Sequence, residues 1–196
     1  GCFRDTSATS TCIGKGQAAT YVVAASNSKN KQYADYIGTG TGDQQAINSA
    51  IQAAYSASRG MGGKVYLLEG DYSVNGTTTM ATGTMLIGSG NGTVIQLANA
   101  VNTRMNIIDA TNVSGITIAD LSINGNGGNN TGLQFGIAFT SVASSTIRSV
   151  SISTTTATQI KLTSSSGNSI HNTVLNTYSA AGILLSSSNN NDVFDN

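Results

Sequence analysis

The chain has no proline, no tryptophan, one histidine and two cysteines, and little charge: nine Lys and Arg against nine Asp and Glu in 196 residues. Each shortage excludes something. Without a basic surplus, neither a phosphate backbone nor an anionic membrane surface is drawn to the protein, so nucleic acid is not an expected partner. No apolar run approaches the roughly 18 residues that a spanning helix needs, so no membrane span is expected. Cys2 and Cys12 sit in a polar leader with no histidine nearby to complete a zinc site. They are read as a disulfide in preference to two free thiols. No metal and no cofactor is expected. Gly1 opens no recognisable signal sequence, so any targeting peptide is expected to have been removed or never included.

What is present is a 39% hydrophobic content, enough for one domain with a real core, set in a background of Ser, Thr, Asn and Gly. Asn75, Asn91, Asn112 and Asn129 each open an Asn-x-Ser/Thr triplet, an expected outcome of that composition and weak support for a glycosylated surface. Low charge, many hydroxyls and a disulfide point to an extracellular, cell-surface or virion location.

One amphipathic helix stands near the front. Ala46, Ile47, Ala50, Ile51, Ala54 and Tyr55 form a stripe over residues 43–58, Thr41-x-x-Gln44 reads as a capping box, and Gly60 follows the end. Beyond it the period changes. "GIAFTSVASSTIRSVSI" (136–152), "QIKLTSSSGNSIHNTVL" (159–175) and "GILLSSSNNNDVFDN" (182–196) fall into register at a spacing of 23 residues. Ile137, Ile160 and Ile183 share a column, as do Phe139, Leu162 and Leu185, then Ile147, Ile170 and Val193, then Ile152 and Leu175. Ile118 and Ile123 extend the pattern at a spacing of 29, with the extra residues in "GNGGNN" (125–130), and Ile95 is placed 23 before Ile118. Within each repeat, apolar and polar residues alternate as in a strand, and Ser/Asn/Gly corners separate the strands.

A repeat of this length with short strands and polar corners fits one coil of a single-stranded parallel β-helix, a solenoid of about 23 residues per coil with roughly six coils from Lys64 onward. The helix then serves as an N-terminal cap over the first coil. The expected organisation is a leader over 1–33, a capping turn and helix over 34–63, and coils over 64–196. The leader's "TYVVAA" (20–25) is expected to be available to a neighbouring subunit's edge.

"ADYIGTGTGDQQAINSAIQAA", "GGKVYLLEGDYSV" and "LIGSGNGTVIQL" resemble the amino-terminal cap and first coils of right-handed parallel β-helix proteins of the pectate-lyase-like superfamily, especially those of viral tail spikes and prokaryotic surface proteins. The resemblance implies the fold; lyases, hydrolases, epimerases and inert scaffolds all share it. The superfamily's lyases and hydrolases carry carboxylates with Arg or Lys on the outer face of neighbouring coils. Here Asp120 and Asp195 share a corner column but lie three coils apart, about 14 Å at the usual strand spacing, beyond the roughly 5–9.5 Å of a glycosidase pair. His171 and Arg148 match none of the superfamily's histidine or arginine motifs.

The residues therefore favour a non-enzymatic structural or adhesive subunit of a fibre, spike or surface filament. A polysaccharide lyase with catalytic residues elsewhere, and a non-catalytic glycan-binding module, are the alternatives. Arg148, His171 and Phe194, on successive rungs of one outward column, are the glycan-binding candidates, with a surface polysaccharide as partner. Lys161 reads as a solubilising charge, and Glu69 and Asp71 as turn formers. Ile183, Leu185, Val193 and Phe194 line the last coil and are expected to be covered, by self-association into filaments or trimers or by the remainder of a longer β-helix.

Overall fold

Alternation dictates the strands. In Gly63–Leu67 and in Thr93–Leu97 every second side chain is buried, because successive side chains of an extended chain point to opposite faces. The computed structural model describes residues 20–178 and 180–196; the Cys2–Cys12 pairing lies outside them.

In chain order the strands are β1 (Thr20–Ala24), β2 (Tyr36–Ile37), β3 (Gly63–Leu67), β4 (Gly70–Val74), β5 (Thr78–Thr79), β6 (Thr84–Ile87), β7 (Thr93–Leu97) and β8 (Met105–Thr111). They continue as β9 (Thr117–Asn124), β10 (Gln134–Thr140), β11 (Thr146–Thr155), β12 (Ile160–Thr163), β13 (Ser169–His171), β14 (Val174–Tyr178), β15 (Ile183–Ser186) and β16 (Asp192–Phe194). The helix α1 (Gln44–Ala57) stands between β2 and β3. Pairings are parallel and sequentially remote, as a wound ribbon requires. One face runs β16-β13-β11-β9-β6-β3-β1-β2, with β4, β7 and β14 as its continuation past a bend; a five-stranded sheet runs β15-β12-β10-β8-β5.

The columns appear as register pairs. Ile137 is opposite Ile160 and Ile160 opposite Ile183, Phe139 opposite Leu162 and Leu162 opposite Leu185. Ile118, Ile147, Ile170 and Val193 follow one another, and Ile123, Ile152 and Leu175 do the same. Up to Leu162 and Ile170 these side chains are buried in one continuous core with Leu67, Leu86, Ile95 and Leu97, against which Leu175 and Ile183 pack partly buried. The front of the ladder differs from the sequence expectation. Ile95 faces Ile123, and the residue opposite Ile118 is Leu86. The turn at Gly90–Gly92 between β6 and β7 lengthens that coil, so a constant spacing of 23 slips by one strand there.

Corners repeat as faithfully as strands. Asp120, Ser149, Asn172 and Asp195 all have φ between 51° and 56°, and Asn112, Ser141, Ser164 and Ser187 between 49° and 55°. Short polar side chains tolerate this left-handed region best among non-glycine residues. Others turn inward as ladders of their own: Ser145 N–H donates to Asn168 Oδ1, and Asn168 N–H to Asn191 Oδ1, each at 3.0 Å. Val142 N–H and Ser165 N–H donate in the same way to Ser165 Oγ and Ser188 Oγ at 3.1 Å. The abundant Ser and Asn are thus hydrogen-bond partners for backbone that a tight corner would otherwise leave unpaired.

Helix α1 buries Ile47, Ala50, Ile51 and Ala54 against the first strands. The expected capping box does not form. Asp43, buried at the N-cap, accepts instead from Gly40 N–H and Ser73 N–H at 2.9 Å each, while the Gln44 amide donates to Asn75 Oδ1 at 2.8 Å. Both side chains are spent on tying the helix to the strand it covers. The leader also departs from expectation, since Thr20–Val23 pairs with β3 and Val23–Ala24 with β2. The rest of the β1 edge is held by Asp35, which accepts from Val22 N–H at 2.7 Å and donates its own N–H back to Val22 O at 2.8 Å. Val22 and Val23 of β1 are therefore bonded on both edges within the chain. "GDYSV", taken from sequence to begin with a turn, is β4 from Gly70 onward.

Candidate functional site

On the face of β9, β11, β13 and β16 the predicted strip is assembled as expected: Arg148 is opposite His171, and His171 opposite Phe194. Each member nevertheless has a partner within the protein. The Arg148 guanidinium lies 3.2 Å from the Asp120 carboxylate, which the bend after Ala119 presents beside it. His171 and Phe194 stack with ring centroids 4.9 Å apart and planes 5° from parallel. The stacking covers the sides on which the two rings face each other, and Phe194, on the last rung, remains 49% exposed. Asp120 and Asp195 occur in the same corner column with two residues between them, and so cannot act as a close pair.

The five-stranded sheet gathers a second set. Its outward column runs Thr79, Asp109, Ala138, Lys161 and Leu184. Phe135, one strand over from Asn106, is nearly buried there. Two cations converge on its ring: Arg104 Cζ stands 5.1 Å and Lys161 Nζ 5.4 Å from the centroid. Asp109 accepts from Asn106 Nδ2 at 2.7 Å and Thr111 Oγ1 at 3.0 Å, which fixes its carboxylate on the outer face. The small, buried Ala138 stands between Asp109 and Lys161, which are two rungs, roughly 10 Å, apart.

Electrostatics separates the two strips. Arg148–Asp120 is the one ion pair among the described residues, so its charges cancel locally. Among the described residues Arg104 and Lys161 have no carboxylate within salt-bridge distance, and the only acid in these five strands is Asp109. In a protein of zero formal net charge this face is a local attractor for an anion. Arg104 and Phe135 were not singled out in the sequence, and Lys161 was read as a surface charge. The signal was there, since carrying the spacings of 29 and 23 to Asp109, Ala138 and Lys161 puts the acid and the base in one column.

The inward residues of the last coil are more exposed than their upstream partners: Leu185 is 42% and Val193 42% exposed, where Leu162 and Ile170 are fully buried.

Residues 34–195 match the family of rhamnogalacturonase A/epimerase, pectate lyase-like proteins. No curated protein matches the sequence. Among solved structures, the chain resembles the A-module of mannuronan C-5 epimerase AlgE4 from Azotobacter vinelandii, with a TM-score of 0.69 and 23% identity over 81% of this chain and 48% of that module. The AlgE6 A-module from the same organism gives a TM-score of 0.62 and 22% identity over 80% of this chain and 48% of the other. A protein of Geobacillus virus E2, ORF18, gives 0.56 and 19% identity over 70% of this chain and 29% of that one. The chain thus spans about half the length of the epimerase modules. These relatives overturn the expectation of a non-enzymatic protein. That expectation rested on the lack of a close carboxylate pair, which a glycosidase needs and which enzymes named epimerases show to be too narrow a test.

Proposed function

The chain belongs to the rhamnogalacturonase A/epimerase, pectate lyase-like family, and from that premise we propose that it is part of a carbohydrate-active protein that holds an acidic polysaccharide along the outer face of its five-stranded sheet. The observation that carries this reading is the convergence of Arg104 and Lys161, both without an acidic partner among the described residues, on the ring of Phe135. A uronate carboxylate seated between the two cations gains two charge-assisted contacts, and the buried Phe135 ring beneath holds both cations on the outer face.

The same placement suits the chemistry that the neighbours' names announce. Cations that neutralise a uronate carboxylate stabilise the negative charge that develops when the adjacent carbon loses its proton, the shared first step of C-5 epimerisation and of β-elimination. Asp109, held by Asn106 and Thr111, is the carboxylate available on this face to take that proton. In this reading α1 is the front cap of coils of about 23 residues, and the setting is extracellular or the virion surface.

Titration calorimetry with polymannuronate, polygalacturonate and neutral dextran tests the binding. Affinity for the two polyuronates and none for dextran is expected, with Lys161→Ala and Arg104→Ala each weakening it about tenfold. Proton NMR of the polymer for inverted residues, and absorbance of unsaturated chain ends, read the chemistry; Asp109→Asn is expected to keep binding and lose turnover. Equal binding by the double variant Arg104→Ala/Lys161→Ala would sink the assignment.

A further inference from the structure

We infer that Gln134 is a positioning residue for the cationic face: it holds Arg104 over the Phe135 ring and so governs the grip on an acidic polymer that it never touches. The consequence for binding rests on the polyuronate reading; the placement of Arg104 does not. Gln134 opens β10 next to Phe135 and is fully buried. A glutamine without solvent must satisfy its amide inside the protein, and this one does so at both ends. Its Nε2 donates to Val101 O at 2.9 Å and to Thr103 O at 3.0 Å. Its Oε1 accepts from the Thr156 hydroxyl, whose oxygen accepts the Gln134 N–H at 2.8 Å. One side chain thus joins the segment before β8, the start of β10 and the segment before β12, from successive coils.

The two cations depend on this tie unequally. Lys161 stands inside β12, which pairs with β10 on one side and β15 on the other, so the ladder fixes its backbone. Arg104 stands outside any strand, at the end of the connection 98–104, and is exposed. The peptide group that joins it to Thr103 is the one whose carbonyl Gln134 holds. The same connection is anchored upstream by Asn130, which accepts the Val101 N–H at 2.7 Å, and downstream by Leu133 O, which accepts the Met105 N–H at 3.1 Å. Between those anchors, Gln134 sets the direction in which Arg104 leaves the backbone. A long cationic side chain held near its working place loses less freedom on meeting an anion than one that starts free. Loss of the Gln134 amide therefore reaches the polymer through Arg104 and leaves Lys161 as it was.

Proton NMR of the whole chain reads the placement without any ligand, because the Phe135 ring current moves side-chain protons above its face upfield. In Gln134→Met, similar in length but without donor or acceptor, the Arg104 Hδ protons are expected to return to their free-peptide position while the Lys161 Hε protons keep their shift. Thr156→Val, which removes only the hydroxyl that fixes the amide, is expected to move the Arg104 signals part of the way, and it carries the test should Gln134→Met fail to fold. Calorimetry with polymannuronate reads the consequence. Gln134→Met is expected to weaken binding about fivefold, about fivefold again in the Lys161→Ala background, and not at all in the Arg104→Ala background. A merely structural role lowers affinity equally in both backgrounds. Unmoved Arg104 signals in both Gln134→Met and Thr156→Val, or equal weakening in the two backgrounds, overturns the inference. If the wild-type chain binds no polyuronate, the reading of the face fails, and the ring-current arm alone decides whether Gln134 holds Arg104.

Discussion

Lys161 and Arg148 look alike in the sequence, each a lone base directly after an isoleucine, and their surroundings give them opposite roles. Arg148 is neutralised by Asp120 across a half-exposed ion pair, of the kind worth about 0–1 kcal/mol. Lys161 is left beside an aromatic ring and another cation, with no ion-pair partner among the described residues. Tyr72 shows the same dependence on context in the core. It is fully buried, with its hydroxyl 2.9 Å from Val23 O and 3.0 Å from Leu68 O, and desolvation by burial pushes the phenol well above its usual value. The stabilisation from keeping it protonated is whole below about pH 10, where the unfolded phenol ionises, and is lost as pH rises from there toward the raised folded value. Urea denaturation between pH 8 and 11.5 is therefore expected to show falling stability at the alkaline end. Tyr72→Phe is expected to flatten that fall, at a cost of about 1–2 kcal/mol at neutral pH from the lost hydrogen bonds.

Among elements, α1 does more than bury an apolar stripe. Asn48 donates to Thr77 O at 2.9 Å and accepts from Thr79 N–H at 2.8 Å, closing the edge of β5 that β8 does not reach. Asn48→Leu removes both bonds, one of them part-buried, and a loss of about 1–2 kcal/mol in chemical denaturation is expected, against less than about 0.5 kcal/mol for the exposed Gln52→Leu. Equal effects would mean that the helix adheres through its apolar stripe alone. The stripe itself was legible, because a period of 3.6 with Ile47, Ala50, Ile51 and Ala54 in phase has few other uses. The capping box was not: Thr41 and Gln44 have the right spacing, but the partner that claimed Gln44, Asn75, is 31 residues away.

For the whole molecule, charge and exposed apolar surface set the two measurable behaviours. Polyuronate affinity is expected to fall steeply between 50 and 300 mM salt, since the attraction resides in a half-exposed cationic patch on a neutral protein. Leu184, Leu185, Val193 and Phe194, between 41% and 49% exposed on two neighbouring strand edges, are expected to promote concentration-dependent association in sedimentation experiments. Leu185→Asp with Val193→Asp is expected to suppress that association, and an unchanged profile would place any contact elsewhere. By itself the sequence determined the wound strands, their inward columns and their polar corners. A side chain's face and its rung are fixed by local alternation and by a repeat that each coil copies from the last. Only the tertiary structure decided which outward residues are spent and which are free. That depends on reach across coils: Arg104 comes from the residue before β8, Phe135 from β10 and Lys161 from β12, and Arg148 meets Asp120 where a left-handed corner turns the acid toward it.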